Sequence, residues 1–322
     1  MAPDLVIPGK VKEIGDNAFN YSGGIKTISI GKGVKHIGIC AFEGLENVEA
    51  VVIPDGVETI GNFCFSNCYN LTSVILPSSL KEIGTFAFQS TGLKEIEIPS
   101  GVKVISNYAL SGCMSLVKVS LPKTLKRIEN CAFQGCGMLE PFQLPEGLEY
   151  LGYRAFSGCR KITEIYIPAS VKEIGDVPYD SRAITSIKVD PRNSRYESPE
   201  GSNVLIDKTT GSIIQGCPNS VIPQGIKEIG YAAFDGCIQI PEIIIPEGVE
   251  RIGDYAFRGC SAYITIPSSV KEIGPNAFLV VEESKVTNNS GLEINYGQQP
   301  LNPAALSQEI QRAINRFNQQ NR

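Results

Sequence analysis

Residues 156–168 read F-S-G-C-R-K-I-T-E-I-Y-I-P and decide the fold, because the same frame returns throughout the chain. Its consensus is F-x-x-C-x-x-L-x-x-I-x-I-P, followed by V-x-x-I-G-x-x-A-F, and successive copies are mostly about 23 residues apart. A fixed period of about 20 to 50 residues is typical of one supersecondary unit per repeat, stacked into a solenoid. The sequence therefore predicts a single repeat solenoid rather than several globular domains.

The residue after each strand segment marks the register. Most of these residues are prolines, and the series runs Pro8, Gly31, Pro54, Pro77, Pro99, Pro122, Pro145, Pro168, Asp190, Pro223, Pro246 and Pro267. The step after Asp190 is about ten residues longer than the others, which indicates an irregular long repeat at 190–222. We expect about 11 turns within residues 1–284, followed by a tail at 285–322.

Each turn is predicted to contain a strand with one buried face. Ile165 and Ile167 alternate with Glu164 and Tyr166, which is the period of a half-buried strand. The proline that follows has no N–H for a ladder and suits the exit of the strand. An Ile-Gly step then ends a second short extended run, and an Ala-Phe pair enters the core. We expect glycine at this repeated bend because it tolerates backbone angles that Cβ forbids.

Charge and hydropathy argue against two classes of partner. The 29 basic and 34 acidic residues give a formal charge of -5, and both signs are interspersed within each turn. The basic stripe that nucleic-acid binding requires is therefore missing. No stretch of about 18 apolar residues exists, so we expect no membrane insertion. The N-terminus also lacks the pattern of a signal peptide, which leaves the compartment open.

The ten cysteines could belong to packing positions, disulfides or a metal site. One repeat column holds Ser22 and Leu45 in the first two turns, and the cysteines in that column are Cys68, Cys113, Cys136, Cys159, Cys237 and Cys260. A column that accepts Cys, Leu and Ser is most simply a buried structural position with reduced thiols.

The distance between stacked turns leaves disulfides open as an alternative. Neighbours such as Cys136 and Cys159 would lie about 4.8 Å apart at Cα, inside the range that a bridge spans. The same holds for Cys237 and Cys260. Cys64-x-x-x-Cys68 has zinc-like spacing but no second pair nearby, so we predict no metal and no cofactor.

The pattern resembles the BspA-like leucine-rich repeats, whose unit reads approximately A-F-x-x-C-x-x-L-x-x-I-x-I-P-x-x-V-x-x-I-G. The resemblance covers about residues 5–280 and includes the long repeat that such proteins often interpose. It implies a leucine-rich-repeat solenoid, a β-rich right-handed superhelix with about 11 turns. It also implies a ligand-binding or adhesive protein, secreted or at the cell surface of bacteria, or a relative in protists, with no catalytic residues.

The outward positions of the strands are the predicted binding surface, because solenoids recognise ligands through the open face of a strand array. Val52 and Ile75 would stand side by side in solvent, which favours a covering partner. The candidate ligand-binding residues are Val52, Ile75, Glu97, Gln143, Tyr166, Lys188, Ile244 and Tyr263. The alternative is that these β-branched and aromatic residues merely suit strands.

A polysaccharide-active enzyme is a third, less favoured alternative, because parallel β-helices include enzymes that cleave acidic polysaccharides. Glu95 and Glu97 would share a face as a carboxylate pair. Lys118 would lie one strand from Glu95, so a cross-strand charge pair explains these residues more simply. We therefore predict a non-enzymatic, monomeric module that binds an extracellular protein or glycan. A structural spacer without its own ligand is the main alternative, and a cytoplasmic location stays open.

The tail breaks the repeat after Phe278. Residues 285–300 are rich in Asn, Ser, Gly and Gln, which is a linker-like composition, and Asn302-Pro303 offers a helix start. Apolar residues then recur at helical spacing, at Leu306, Ile310, Ile314 and Phe317. We expect a short amphipathic C-terminal helix that caps the last turn. Docking onto another chain or domain is the alternative.

Overall fold

The computed structural model describes residues 4–297. Within this range the chain is built from short strands, which are, in chain order, β1 (Leu5–Ile7), β2 (Glu13–Ile14), β3 (Ile28–Ile30), β4 (His36–Ile37), β5 (Ala50–Val52), β6 (Thr59–Ile60), β7 (Ser73–Ile75), β8 (Glu82–Ile83), β9 (Glu95–Glu97), β10 (Val104–Ile105), β11 (Lys118–Ser120), β12 (Arg127–Ile128), β13 (Tyr150–Leu151), β14 (Glu164–Ile167), β15 (Glu173–Ile174), β16 (Ser186–Val189), β17 (Tyr196–Glu197), β18 (Leu205–Asp207), β19 (Ser212–Gln215), β20 (Glu228–Ile229), β21 (Glu242–Ile244), β22 (Arg251–Ile252), β23 (Tyr263–Ile266), β24 (Glu272–Ile273) and β25 (Val286–Asn288). One 3-10 turn, Glu283–Lys285, is the helical element of the described range.

The strands form two arrays that run along the solenoid. The first array contains the strands that precede the repeated proline or the residue in its place. These strands are β1, β3, β5, β7, β9, β11, β14, β16, β21, β23 and β25. The second array contains the short strands that end at the Ile-Gly step, and its strands pair in parallel from turn to turn. The predicted β-rich repeat solenoid is thus confirmed, with about 12 turns instead of 11.

A column of large side chains fills the centre of the solenoid. Consecutive rings lie parallel with centroids 5.1 to 5.5 Å apart in the pairs Phe19–Phe42, Phe42–Phe65, Phe65–Phe88, Phe133–Phe156, Phe156–Tyr179, Phe234–Phe257 and Phe257–Phe278. From the second turn on, the alanines that precede these rings are buried as well, as at Ala41, Ala155 and Ala256. The Ala-Phe pair of the repeat therefore enters the core as the sequence predicted, and the stacked rings form an apolar column on each side of the irregular repeat.

The Ile-Gly glycines permit a close approach of neighbouring turns, which corrects the expectation that they serve a special backbone angle. These glycines do not have positive φ. A Cβ on Gly61 would lie 2.6 Å from the carbonyl carbon of Gly38, so adjacent turns could not stay this close. Positive φ recurs two residues later, for example at 57° in Phe63 and 59° in Phe86. Sequence periodicity located the bend but misassigned its strained residue.

All ten cysteines are free thiols, and all but Cys40 are buried. In the cysteine column, the thiol of Cys68 donates to the carbonyl oxygen of Phe42 at 3.2 Å, and the thiol of Cys159 donates to that of Phe133 at 3.1 Å. Both of these thiols thus donate to a backbone carbonyl oxygen of the preceding turn and satisfy a buried acceptor. This role goes beyond simple filling of space, because an unpaired buried carbonyl is costly.

The irregular repeat divides the core. Strands β17, β18 and β19 pair antiparallel, and β19 then rejoins the second array in parallel with β20. At the position of the column phenylalanine stands Gly216, whose N–H donates to the carbonyl oxygen of Ala233. The buried residues accordingly fall into two apolar clusters that meet within this repeat, where Leu205 and Ile214 belong to the first cluster and Ile206 and Ile213 to the second.

The end of the described chain covers the last turns. β25 pairs with β23, and Leu292, Ile294 and Tyr296 pack against the second apolar cluster. The composition of 285–300 suggested a linker, whereas its described part is packed because these three side chains are spaced to reach the core. Its polar residues make turns, as when Asn288 Oδ1 accepts the N–H of Ser290 at 3.0 Å. The predicted C-terminal helix at 306–317 lies outside the described residues.

Candidate interaction surface on the first strand array

Val52 and Ile75 form the centre of an exposed apolar patch. The two residues are paired in the register of β5 and β7, and their exposed fractions are 58% and 59%. The alternate residues Val51 and Val74 of the same strands are buried. The pleat therefore turns one aliphatic side chain of each strand into solvent, where its burial against a partner would be favourable.

Val6 is a further exposed apolar residue of the same outward column, and the sequence analysis missed it. It lies in β1, in register with Ser29 of β3, and 58% of it is exposed. The column of outward residues therefore begins one turn earlier than expected. The signal was present in the alternation Leu5-Val6-Ile7, but the first turn was not included in the column. The exposed Ser29 separates Val6 from Val52 in this column, so we call Val52 and Ile75 alone the N-terminal apolar patch.

Tyr166 is exposed on β14 but held by its neighbours. Its hydroxyl donates to the Asp190 carboxylate at 2.8 Å, and this hydrogen bond raises the pKa of Tyr166. The same carboxylate accepts from Arg192 at 2.8 and 3.0 Å, which lowers the pKa of Asp190. Lys188 is paired with Tyr166 in the register of β16. The ring is therefore presented in a fixed orientation beside a lysine, with its polar end already used.

Ile244 and Tyr263 form a second apolar group, far along the array. Ile244 is in register with Thr265 of β23, and Tyr263 is in register with Glu242 of β21. The two side chains are thus diagonal neighbours on one face, and both are exposed. We call them the C-terminal apolar pair. Diagonal neighbours of this kind lie within reach of one another across a sheet.

The polar candidates separate these groups instead of joining them. Glu97 follows the N-terminal apolar patch on the next strand, and Gln143 lies in a segment, residues 140–144, that forms no strand. Pro141 lacks the N–H that a ladder needs, which accounts for the gap. The structure therefore brings Val52 and Ile75 together, and Ile244 and Tyr263 together, but not the two groups with each other.

The acidic residues considered for catalysis lie on the open strand face. Glu95 and Glu97 are both exposed on β9. Lys118 is paired with Glu95 in the register of β11, as the sequence predicted, but the described residues contain no ion pair between them. Within the described range, no group of three His, Cys, Asp or Glu side chains is arranged to hold a metal ion.

Two clefts of the described chain lie at the irregular repeat. One, of about 530 Å³, is lined by residues that include Asp176, Glu228, Arg251 and Asp254. The other, of about 200 Å³, is lined by arginines and aspartates of four different turns. Sequence analysis proposed no residue in either cleft, because the residues come from turns far apart in the chain.

Comparison with protein-family models adds a match that spans the described solenoid. The model for the BspA type leucine rich repeat region matches residues 2–117, 105–199 and 215–297, with 6 copies of the repeat. This chain belongs to the BspA-type leucine-rich repeat family. The unmatched residues 200–214 fall inside the irregular repeat, where β18 and β19 depart from the parallel stacking that defines a BspA-type turn.

Solved structures of other bacterial proteins share the BspA-type solenoid. A leucine-rich repeat protein from Bacteroides ovatus is 29% identical, with 85% of this chain and 83% of that chain covered and a TM-score of 0.55. A leucine rich cell surface protein from Faecalibacterium prausnitzii is 23% identical, with 92% and 91% covered and a TM-score of 0.55. The pneumococcal vaccine antigen PcpA is 18% identical, with 84% and 67% covered and a TM-score of 0.53. The last two show the fold alone.

Two further observations bear on the BspA-type chain. None of the curated proteins matches it. Over residues 4–297, no helix has the length and apolar character to cross a membrane.

Proposed function

We propose that this BspA-type chain is a non-enzymatic interaction module that binds a partner through the first strand array. The observation that carries the proposal is the side-by-side exposure of Val52 and Ile75 in a column whose neighbours, Ser29 and Glu97, are polar. Isolated exposed apolar side chains are ordinary, but an adjacent pair such as Val52 and Ile75 is typical of a surface that another molecule covers.

The chemistry of the patch favours a protein over a glycan as its partner. Glycans stack on flat aromatic faces, whereas Val52 and Ile75 are branched aliphatic side chains that suit a complementary apolar surface. Tyr166, held by Asp190, and Tyr263 would supply further contacts along the array, since tyrosine is enriched at interfaces. A glycan partner would be expected at these tyrosines instead.

We further propose a location at the cell surface, with the chain acting as a monomer. The relative from Faecalibacterium prausnitzii is described as a cell surface protein, which supports this location. Exposed solenoid strands there would be accessible to extracellular proteins. A structural spacer without a ligand of its own is the competing proposal.

The test is binding of the purified protein to arrays of extracellular-matrix proteins and glycans. The variant Val52→Asp with Ile75→Lys should lose protein binding, because both changes place a charge in the apolar contact. Lys118→Asp with Ser120→Lys places the same two charged residues at exposed positions of β11, two strands beyond Ile75, and should bind as the parent does. Circular dichroism checks that each variant is folded.

A milder variant controls for the possibility that the charged variant loses its structure. Val52→Thr with Ile75→Thr keeps β-branched side chains and should fold normally while weakening binding. If the parent binds no protein or glycan, the spacer proposal is favoured. If both patch variants bind as tightly as the parent, the assignment of the site to this patch fails.

A further inference from the structure

The irregular repeat leaves a notch on the loop side of the solenoid. In the regular turns, the column phenylalanine is followed by a half-buried loop, as in Ser157-Gly158 after Phe156. In the irregular repeat, Gln215, Gly216 and Cys217 are all buried, so no loop fills the corresponding space. The result is a cleft of about 200 Å³ between the loop that holds Asp180 and the loop that holds Asp235. None of its lining residues belongs to the first strand array.

The two carboxylates of the notch are already neutralised. Asp180, whose side chain is only 6% exposed, accepts two hydrogen bonds from the Arg182 guanidinium, at 2.9 and 3.0 Å. Asp235 accepts two from the guanidinium of Arg258. Paired, charge-assisted hydrogen bonds of this kind fix both guanidinium groups in place. The carboxylate oxygens of Asp180 and Asp235 therefore already accept hydrogen bonds from arginine, which disfavours the binding of a cation in the notch.

A third arginine, Arg154, brings an unpaired positive charge to the same notch. It lies near the ring of Tyr153, with its guanidinium carbon 5.1 Å from the ring centroid. No carboxylate within residues 4–297 forms an ion pair with it. The notch thus carries three guanidinium groups against two carboxylates, a net positive charge in a chain whose formal charge is -5.

Neutral hydrogen-bond donors complete the lining. The Ser181 hydroxyl oxygen accepts from the side-chain N–H of Gln215 at 2.7 Å, which leaves the hydroxyl proton of Ser181 free to donate elsewhere. The Ser157 hydroxyl has no hydrogen-bond partner in the described part of the chain. The aliphatic part of Arg182 reaches across to Gly236, where a Cβ would lie 3.0 Å from its Cδ. The free donors of the notch, Arg154, Ser157 and Ser181, therefore come from two neighbouring turns and line the same cleft.

We infer that this notch binds a tetrahedral oxyanion, a sulfate or phosphate group, with Arg154 as its ionic partner and the serine hydroxyls as further donors. The planar fork of arginine matches the oxygen geometry of such groups. A guanidinium and two hydroxyls from two neighbouring turns suit an anion with oxygens in several directions, whereas a flat carboxylate would use only part of them. This site is independent of the binding proposed for the first strand array.

The group could be a free ion or an ester on an oligosaccharide, and the experiment separates these sources. Calorimetric titrations use inorganic sulfate, inorganic phosphate, and a sulfated oligosaccharide beside its desulfated form, all at constant ionic strength. Saturable binding of the inorganic ions indicates a site for the group itself. Tighter binding of the sulfated oligosaccharide than of inorganic sulfate, with no binding of the desulfated form, identifies an ester as the ligand.

Arg154→Gln is the decisive variant, because it leaves no carboxylate unpaired. Its affinity for sulfate should fall at least about tenfold, since a hydrogen-bonded charge is lost. Arg127→Gln is the control: this arginine also lies over a tyrosine ring, at 3.9 Å, but outside the notch, and because it pairs with Glu129 the folding of the variant is checked by circular dichroism. It should bind as the parent does. Absence of saturable binding by the parent, or equal affinity of folded Arg154→Gln and parent, would overturn the inference.

Discussion

Gly216 lies against the ring of Phe234, at the place where a large side chain stands in most other turns. A Cβ on Gly216 would be 2.1 Å from Cε1 of that ring. The N–H of Gly216 nevertheless makes the inter-turn hydrogen bond to Ala233 that phenylalanines such as Phe156 make to their own neighbours. The backbone of the irregular repeat thus keeps the solenoid connected while its aromatic column is interrupted, and the notch results from this interruption.

Replacing Gly216 with alanine should destabilise the protein. The new methyl group must displace the Phe234 ring, and overpacking of this kind costs about 1 to 3 kcal/mol. Gly23→Ala is the control, because a Cβ there would have no neighbour within 4 Å. Urea unfolding measures both variants. Equal midpoints for the two variants would contradict the close contact between Gly216 and Phe234.

The thiols should be nearly unreactive until the protein unfolds. Nine of the ten cysteines are buried, and burial raises the pKa of Cys68 to about 12, so few thiolates form near neutral pH. Cys40 is half-buried, and its pKa is raised to about 11, chiefly by burial. Without reductant at about pH 8, a thiol reagent should modify at most one cysteine in the folded protein and all ten in denaturant. A lower count in denaturant would indicate disulfides.

Glu149 should stabilise the fold in a pH-dependent way. Hydrogen bonds from Lys172 and Lys126, at 2.8 and 3.0 Å, hold its pKa at about 2, below the ordinary 4.5. Because the folded-state pKa is lowered, the stabilisation is present above about pH 4.5 and is lost as the pH falls towards 2. Glu149→Gln should therefore melt slightly below the parent at pH 7, and this difference should vanish near pH 2.

Salt and a second variant provide the controls for Glu149. The contribution of an exposed ion pair is small and should shrink at high salt. Glu82→Gln, at an exposed position of the second array, should show no comparable loss. A difference between Glu149→Gln and the parent that grows as the pH falls would refute the assigned sign.

Tyr296 should stabilise the last turns of the solenoid. Its ring meets that of Phe278 edge-on, at a centroid distance of 6.4 Å, and its carbonyl oxygen accepts the N–H of Val280 at 3.1 Å. Tyr296→Ala keeps this backbone hydrogen bond but removes the ring, at a cost of about 1 to 2 kcal/mol for a half-buried side chain. The exposed neighbour variant Glu293→Ala should leave the unfolding midpoint unchanged. Similar effects of both changes would mean that the ring does not cover the core.

Much of the fold could be predicted from sequence because neighbouring turns repeat the same local contacts. Alternation in residues 164–167 was enough to assign Ile165 to the core and Tyr166 to the surface, and the fixed period placed Val52 beside Ile75. The same reasoning did not explain the glycine of the Ile-Gly step, since only the tertiary structure shows that this glycine faces the backbone of the preceding turn. A pattern of residue types records where Cβ is disfavoured but not whether φ or crowding is the cause.

By itself, the sequence determined the solenoid, its two strand arrays, the central aromatic column and the outward register of the candidate patch. These features depend on residues that recur at one period, so each turn predicts its neighbours. Only the tertiary structure decided that Gly216 replaces a column side chain, and that Arg154, Arg182 and Arg258 meet in one notch. The irregular repeat follows no period, so its length alone could not show which turns it brings together. The physical reason is that packing across an aperiodic insertion depends on where the chain re-enters the stack.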